Sequence, residues 1–226
     1  MHQCILTLAR DPPAGDPIQS RYEGRPAIDA ERTELLDGET IYHGDAAVEA
    51  TAETREIHVS PHEERITTER AETVEEVYTE WVADLDADPA WLATDTGRAD
   101  GLWTLLGIEQ ETLFERAELD VDGFAGDYQA RDHAQVWHAT NQRVDESVSL
   151  AYHADAEIDG QAFTTMLGFE YKWDGAPVRG VMADSGYVAV YDGLGDAAAL
   201  GRWMRDEVLP WASLPEDSQQ ELGGED

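Results

Sequence analysis

The chain of 226 residues carries 49 Asp and Glu against 15 Lys and Arg, a formal net charge of -34. Its hydrophobic share of 42% separates it from disordered chains, which couple high charge to few apolar residues. The single cysteine, Cys4, excludes an intramolecular disulfide and a cysteine-built zinc site. No run approaches the roughly 20 apolar residues of a membrane helix.

In chain order, residues 1–10 read as a strand closed by the proline-rich loop 11–17. Residues 27–36 read as a short helix stopped by Asp37-Gly38, and 39–43 as a strand. Residues 48–59 read as a partly exposed strand that turns through 60–64 into a second strand, 65–70. A helix is expected from Thr73, whose hydroxyl and Glu76 form a capping box. Val74, Val77, Tyr78, Trp81, Val82 and Leu85 then give one apolar stripe. Segments 91–95 and 102–106 read as a hairpin, and 108–131 fits either helix or strand.

Segments 136–140 and 148–154 read as another hairpin, with Val148, Leu150 and Tyr152 on its core face. A turn centred on Gln142 and Arg143 adds Trp137 to that face. The clearest hairpin follows. Phe163, Thr165, Leu167, Phe169, Tyr171 and Trp173 alternate along one face, and Asp174-Gly175 suits a two-residue turn with both φ positive. That turn pairs Tyr171 with Val178, Phe169 with Gly180, Leu167 with Met182, and Glu170 with Arg179. Residues 187–191 make a further strand. A last helix begins near Asp196, carries Leu200, Trp203, Met204, Val208 and Trp211 on one side, and ends at Pro210.

The expected fold class is α+β, mainly antiparallel sheet built from hairpins with two principal helices packed on it. Two α+β units, 1–107 and 108–212, are followed by an acidic tail, 213–226, expected to be disordered. One continuous domain is the alternative.

Lys172 is the only lysine; the other 14 basic residues are arginines, and the acids run from Asp11 to Asp226. This composition resembles that of proteins from extreme halophiles, where multimolar salt shortens the Debye length to about 3 Å or less and screens self-repulsion. A nucleic-acid mimic would also be acidic, but mimicry does not account for the missing lysines. The salt-adapted reading, with no basic stretch or apolar core of a signal peptide, leads to an expectation of a soluble cytoplasmic protein.

Several local patterns invite chemistry. His58 and His62 stand at i,i+4, but Pro61 breaks the helix that would align them. Asp132, His153 and Asp155 form the candidate metal or carboxylate site. The hairpin register sets His153 opposite Asp132 and leaves His138 roughly 20 Å along the strand, too far for a shared zinc ion. Asp155, Glu157 and Asp159 imitate a calcium loop whose twelfth position is Met166, not Glu. Asp95-Thr96-Gly97 and Asp184-Ser185-Gly186 match the tripeptides of aspartic peptidases, yet suit turns equally well. Gly193-Leu194-Gly195 lacks the third glycine and lysine of a phosphate loop, and a helix cap explains it better.

No segment assembles nucleophile, base and orienting group, and no cofactor is expected. The expectation is therefore a non-enzymatic binding or interaction protein, partnered by another protein, with Trp173 and Trp211 as binding residues. A membrane partner is not expected, and nucleic acid is neither supported nor excluded, because counterion release contributes little in concentrated salt. The alternative is a metal- or carboxylate-dependent hydrolase using Asp132, His153 and Asp155.

Overall fold

The structure, a computed structural model, describes residues 3–35, 38–60, 65–95, 97–129, 134–143, 146–152 and 162–215. In chain order the strands and helices are β1 (Gln3–Ala9), β2 (Ala27–Glu34), β3 (Thr40–Ser60), β4 (Arg65–Asp84), β5 (Trp91–Thr94) and α1 (Asp100–Glu109). There follow β6 (Phe114–Arg116), β7 (Glu118–Leu119), α2 (Val121–Gln129), β8 (Gln135–Arg143), β9 (Glu146–Tyr152) and β10 (Ala162–Trp173). The chain then forms β11 (Ala176–Ala183), β12 (Tyr187–Asp192), α3 (Ala197–Trp203) and β13 (Ala212–Ser213). Among the described residues ten strands lie in the order β2-β3-β4-β5-β1-β12-β11-β10-β8-β9, with β6 added beside β1, and every pairing is antiparallel. The molecule is thus mainly antiparallel sheet, with helices on it.

The hairpin of β10 and β11 has the register read from its turn. Tyr171 faces Val178, Phe169 faces Gly180, Leu167 faces Met182, and Glu170 faces Arg179 at 3.8 Å. Asp174 and Gly175 take φ of 48° and 79°, the two positive values such a turn demands. Phe169, Tyr171 and Leu167 face one core with Phe124 and Tyr128 of α2 and Trp203 of α3. Each such fully buried large side chain contributes about 1.5–3 kcal/mol.

Asp196 caps α3, its carboxylate accepting from the Ala199 N–H at 2.8 Å. The helical run continues past Trp203 through a π-spaced stretch, Met204–Val208, and a tight last turn, Leu209–Trp211, that contains Pro210. Arg205 in that run is ion-paired to Glu39, the residue before β3. Ser213, read as tail, pairs with Glu118 instead; residues 216–226 lie outside the described residues.

Three expected elements are corrected. The helix read over 73–85 is the second half of β4, paired with β3 from Ile41–Asp84 to Ser60–Arg65. Trp81 and Ala83 enter the core under α1 while Val82 enters the core under α3, so the helical stripe is split between two faces. The β-branched and aromatic residues Thr73, Val74, Val77, Tyr78, Thr79, Trp81 and Val82 suit a pleated strand. Residues 27–34 are the edge strand β2, not a helix. Conversely, Leu102–Leu106 lies in α1, where Leu102 and Leu106 share a helix face and are both buried; a five-residue apolar run does not distinguish the two periods.

Beyond Ala47, β2 no longer flanks β3, and β5 flanks β4 only from Trp81. The rest of β3 and β4 is a two-stranded ribbon. Across it Glu49 faces Glu76 and Glu53 faces Glu72, like-charge pairs that destabilise a ladder. Arg25 and Arg70 partly offset them, at 3.1 Å from Glu76 and 3.9 Å from Glu53.

Candidate functional site: an aromatic face on the open side of the sheet

Helices α2 and α3 pack on the face of β10 and β11 that carries Phe169 and Tyr171. The opposite face of β10 carries Gly168, Glu170 and Lys172. On that outer face two irregularities in the ladder act together. Between β10 and β8, Gly168 pairs with His138 while Phe169 pairs with Val136, leaving Trp137 as the extra residue of a β-bulge. Between β11 and β12, Arg179 pairs with Asp192 while Gly180 pairs with Val190, leaving Tyr191 as the extra residue of a second bulge. A bulge re-aims side chains. Here both aim an aromatic ring at one spot.

The Trp137 ring lies against the backbone of Gly168, so closely that a Cβ at Gly168 would come within 2.8 Å of it. Its indole N–H donates to the Phe169 carbonyl at 3.0 Å, which fixes the ring's orientation. The Tyr191 ring stands 6.2 Å away, tilted by 54°, and the residue is 54% exposed. The Arg179 guanidinium sits 5.1 Å from the Trp137 centroid and 3.8 Å from Glu170, a cation–π contact of about 0.5–1 kcal/mol at such an exposed position. His138 flanks the indole at 6.0 Å. Lys172, the only lysine of the chain, is exposed on the same face. The assembly offers π surface, a guanidinium, an ammonium and an imidazole around a charge-balanced patch. It suits stacking and hydrogen bonding.

The expectation that Trp137 joins the core side is corrected by its bulge. The β8–β9 register also differs: Arg143 faces Glu146 and Ala139 faces Tyr152, so Gln142 and Arg143 are strand residues rather than the centre of the turn. The sequence signal for the bulge is Gly168 inside a strand, since strand glycines mark bulges or close backbone approaches.

Trp173 and Trp211 are both half-buried and packed on the helix-side core. Arg202 covers the Trp173 ring at 5.5 Å and approaches Asp174 at 3.9 Å. Trp211 meets Phe124 edge-on at 6.4 Å, and its carbonyl accepts from the Asp120 N–H at 2.8 Å. Asp132, His133, His153 and Asp155, and the turn residues 61–64, lie outside the described residues. Among the described residues no group of three or more His, Cys, Asp or Glu is placed to hold a metal ion, and no helix is long and apolar enough to cross a membrane.

Other candidates resolve into structural parts. Asp184-Ser185-Gly186 is the β11–β12 turn, with Gly186 N–H donating to Ala183 at 3.1 Å. The Asp95 carboxylate accepts from the Thr79 hydroxyl at 2.7 Å. Burial pushes the Cys4 thiol up to about 12, which leaves no nucleophilic thiolate at neutral pH. A cleft of about 510 Å³ runs between the β3–β4 strands and the β12–α3 loop. Asp45, Glu80, Asp192 and Asp196 line it with His43 and Tyr191 above Val82, Val190 and Leu200, and no Lys, Arg, Ser, Thr or Cys lines it among the described residues. Its carboxylates repel anions. The Asp196 carboxylate is engaged in its cap and Asp45 accepts from the Tyr78 hydroxyl at 2.6 Å.

Comparison with protein-family models finds no match, and comparison with curated proteins finds none either.

Proposed function

We propose that the chain is a non-enzymatic binding protein of a salt-adapted cytoplasm, and that it meets its partner on the outer face around Trp137, Arg179 and Tyr191. One observation carries the reading: two separate bulges, on strands with two others between them, deliver two aromatic rings to a single exposed spot and hold them there with a guanidinium and a backbone hydrogen bond. Tryptophan, tyrosine and arginine dominate binding energy at interfaces because they bury much surface at low entropic cost. The patch is also charge-balanced, so a macromolecule can approach it without the repulsion that the acidic remainder of the surface sets up. In concentrated salt, contacts based on stacking and burial outlast those based on surface charge.

The test compares Tyr191→Ala with Trp173→Ala for retention of whatever macromolecule the wild-type chain holds in multimolar KCl. Loss with Tyr191→Ala and retention with Trp173→Ala is the expected result. The reverse would move the contact to Trp173.

A further inference from the structure

We infer that two copies of this chain join edge to edge through β4, antiparallel about a two-fold axis at Ala71, so that their ribbons merge into one four-stranded sheet. The inference goes beyond the binding role proposed above: it concerns another part of the molecule and a different partner.

Among the described residues the outer edge of β4 pairs with no strand between Arg65 and Thr79, because β5 joins it only from Trp81. An exposed edge of this length is a template for a further strand, and a ribbon of two strands is marginal until a third is added. The backbone phase of that edge is fixed at two points. The Glu80 carbonyl accepts from the Asp95 N–H at 3.0 Å and so turns outward. The Ala71 carbonyl accepts from the Thr54 hydroxyl of β3 at 3.2 Å and so turns inward. The register between them is unbroken. Thr68, Arg70, Glu72 and Val74 therefore present their N–H and C=O groups to the outside. On the other edge of the ribbon Gly101 of α1 already lies beside the Glu49 carbonyl, which leaves β4 the freer side.

The side chains select a second copy as the occupant. With the axis at Ala71, Arg70 of one copy stands opposite Glu72 of the other, and the symmetry repeats the pair. Thr68 stands opposite Val74, which is 68% exposed in the single chain, and Glu69 opposite Thr73. No like charges meet anywhere from Thr67 to Glu75. Moving the axis by one residue sets Arg70 against Arg70, or Glu72 against Glu72. Within one chain the ladder gives Glu72 the partner Glu53 and Arg70 the partner Arg55; a second copy gives each an opposite charge. The net charge of -34 opposes association in dilute buffer, and multimolar salt screens that repulsion while the backbone hydrogen bonds remain. Tyr78, whose hydroxyl is held by Asp45 of β3 at 2.6 Å, leans away from this edge and stays outside the contact.

The experiment measures the mass of the full-length protein by light scattering in multimolar KCl over a series of protein concentrations. The expected mass rises to twice the 25.0 kDa of one chain. Val74→Pro removes an outward N–H, a change that an edge strand tolerates, and is expected to abolish the dimer. Arg70→Glu sets like charges opposite each other and is expected to weaken association by about five-fold or more; adding Glu72→Arg should restore it. Ala71→Cys brings two thiols together across the axis, where facing Cα atoms are about 4.5–5.5 Å apart, and is expected to form a covalent dimer on oxidation. Thr73→Cys, whose two copies lie about 14 Å apart, is not. Circular dichroism of each variant confirms that it is folded.

A mass of one chain at every concentration would overturn the inference. So would a dimer that survives in folded Val74→Pro, equal association of wild type and Arg70→Glu, or oxidation that links Thr73→Cys as readily as Ala71→Cys. None of these results bears on the contact at Tyr191, so the two readings fail separately.

Discussion

Trp137 and Tyr191 belong to strands separated by two others, yet their ring centroids stand 6.2 Å apart. Adjacent strands are spaced about 4.8 Å, so rings held upright on β8 and β12 would be roughly 14 Å apart. They meet because each occupies a bulge and because Gly168 leaves the sheet surface bare beneath the indole.

That dependence makes Gly168→Ala informative. The new methyl would enter the space of the Trp137 ring and must push it off the sheet. Overpacking of this kind costs about 1–3 kcal/mol. The measurement is thermal unfolding in concentrated KCl, together with the near-ultraviolet dichroism of the tryptophans. A lower midpoint with an altered aromatic signal is expected; an unchanged spectrum would mean that the indole does not lie on Gly168.

Tyr128 holds the same region from the other side. Its hydroxyl accepts from the N–H groups of Gln135 (2.8 Å) and Glu170 (2.9 Å) and lies within hydrogen-bond reach of both their carbonyls. It takes the place of a ladder hydrogen bond next to the Trp137 bulge. Tyr128→Phe leaves these buried groups short of a partner, at a cost of about 1–3 kcal/mol, or a fall in midpoint of about 2–4 °C per kcal/mol. A wild-type melting curve for Tyr128→Phe would contradict the arrangement.

The ribbon of β3 and β4 is where salt acts most. Glu49–Glu76 and Glu53–Glu72 face each other on a ladder with no third strand beside it. A two-stranded ribbon is marginal by itself, and as the Debye length grows from about 3 Å at 1 M to about 10 Å at 0.1 M, its like charges cease to be screened. Hydrogen exchange at a series of KCl concentrations should show the amides of 49–58 and 67–76 losing protection at higher salt than those of β1 and β10. Simultaneous loss in all strands would contradict this.

Much of the C-terminal half is legible in the sequence because Asp174-Gly175 admits one turn geometry, and that turn dictates the partner of each residue from Met166 to Trp173. The Asp196 cap is legible for a similar reason: one side chain satisfies one known orphan N–H. The second half of β4 is not, because positions 74, 77, 78, 81 and 82 satisfy a helical period while their pairing with β3 is decided by residues some 30 positions away. The outer face escapes for another reason. Alternation assigns Trp137 to one side, and a bulge reverses the assignment without changing the local pattern. Only the strand glycine at 168 signals it.

Tyr78 offers a titration with a defined sign. Its hydroxyl donates to the Asp45 carboxylate at 2.6 Å, and this hydrogen bond to a charged acceptor is the main cause that pushes the phenol up to about 12 from its ordinary 10. A raised folded-state value means that the contact's contribution is complete below the unfolded-state value and is lost as pH rises from about 10 through about 12. Ultraviolet titration of wild type and Asp45→Ala should differ by one tyrosine, which ionises late in the wild type and earlier in the variant. Coincident titration of wild type and variant would contradict the bond.

The most direct measurement of the binding role is photo-crosslinking at native salt, with benzoylphenylalanine in place of Tyr191 or, as a comparison, of Tyr78. Both side chains are more than half exposed, at 54% and 61%, but only Tyr191 stands on the bulged aromatic face. A macromolecular adduct at position 191 and none at position 78 is the predicted result. An adduct at 78 with none at 191 would contradict the account and place the contact on the ribbon.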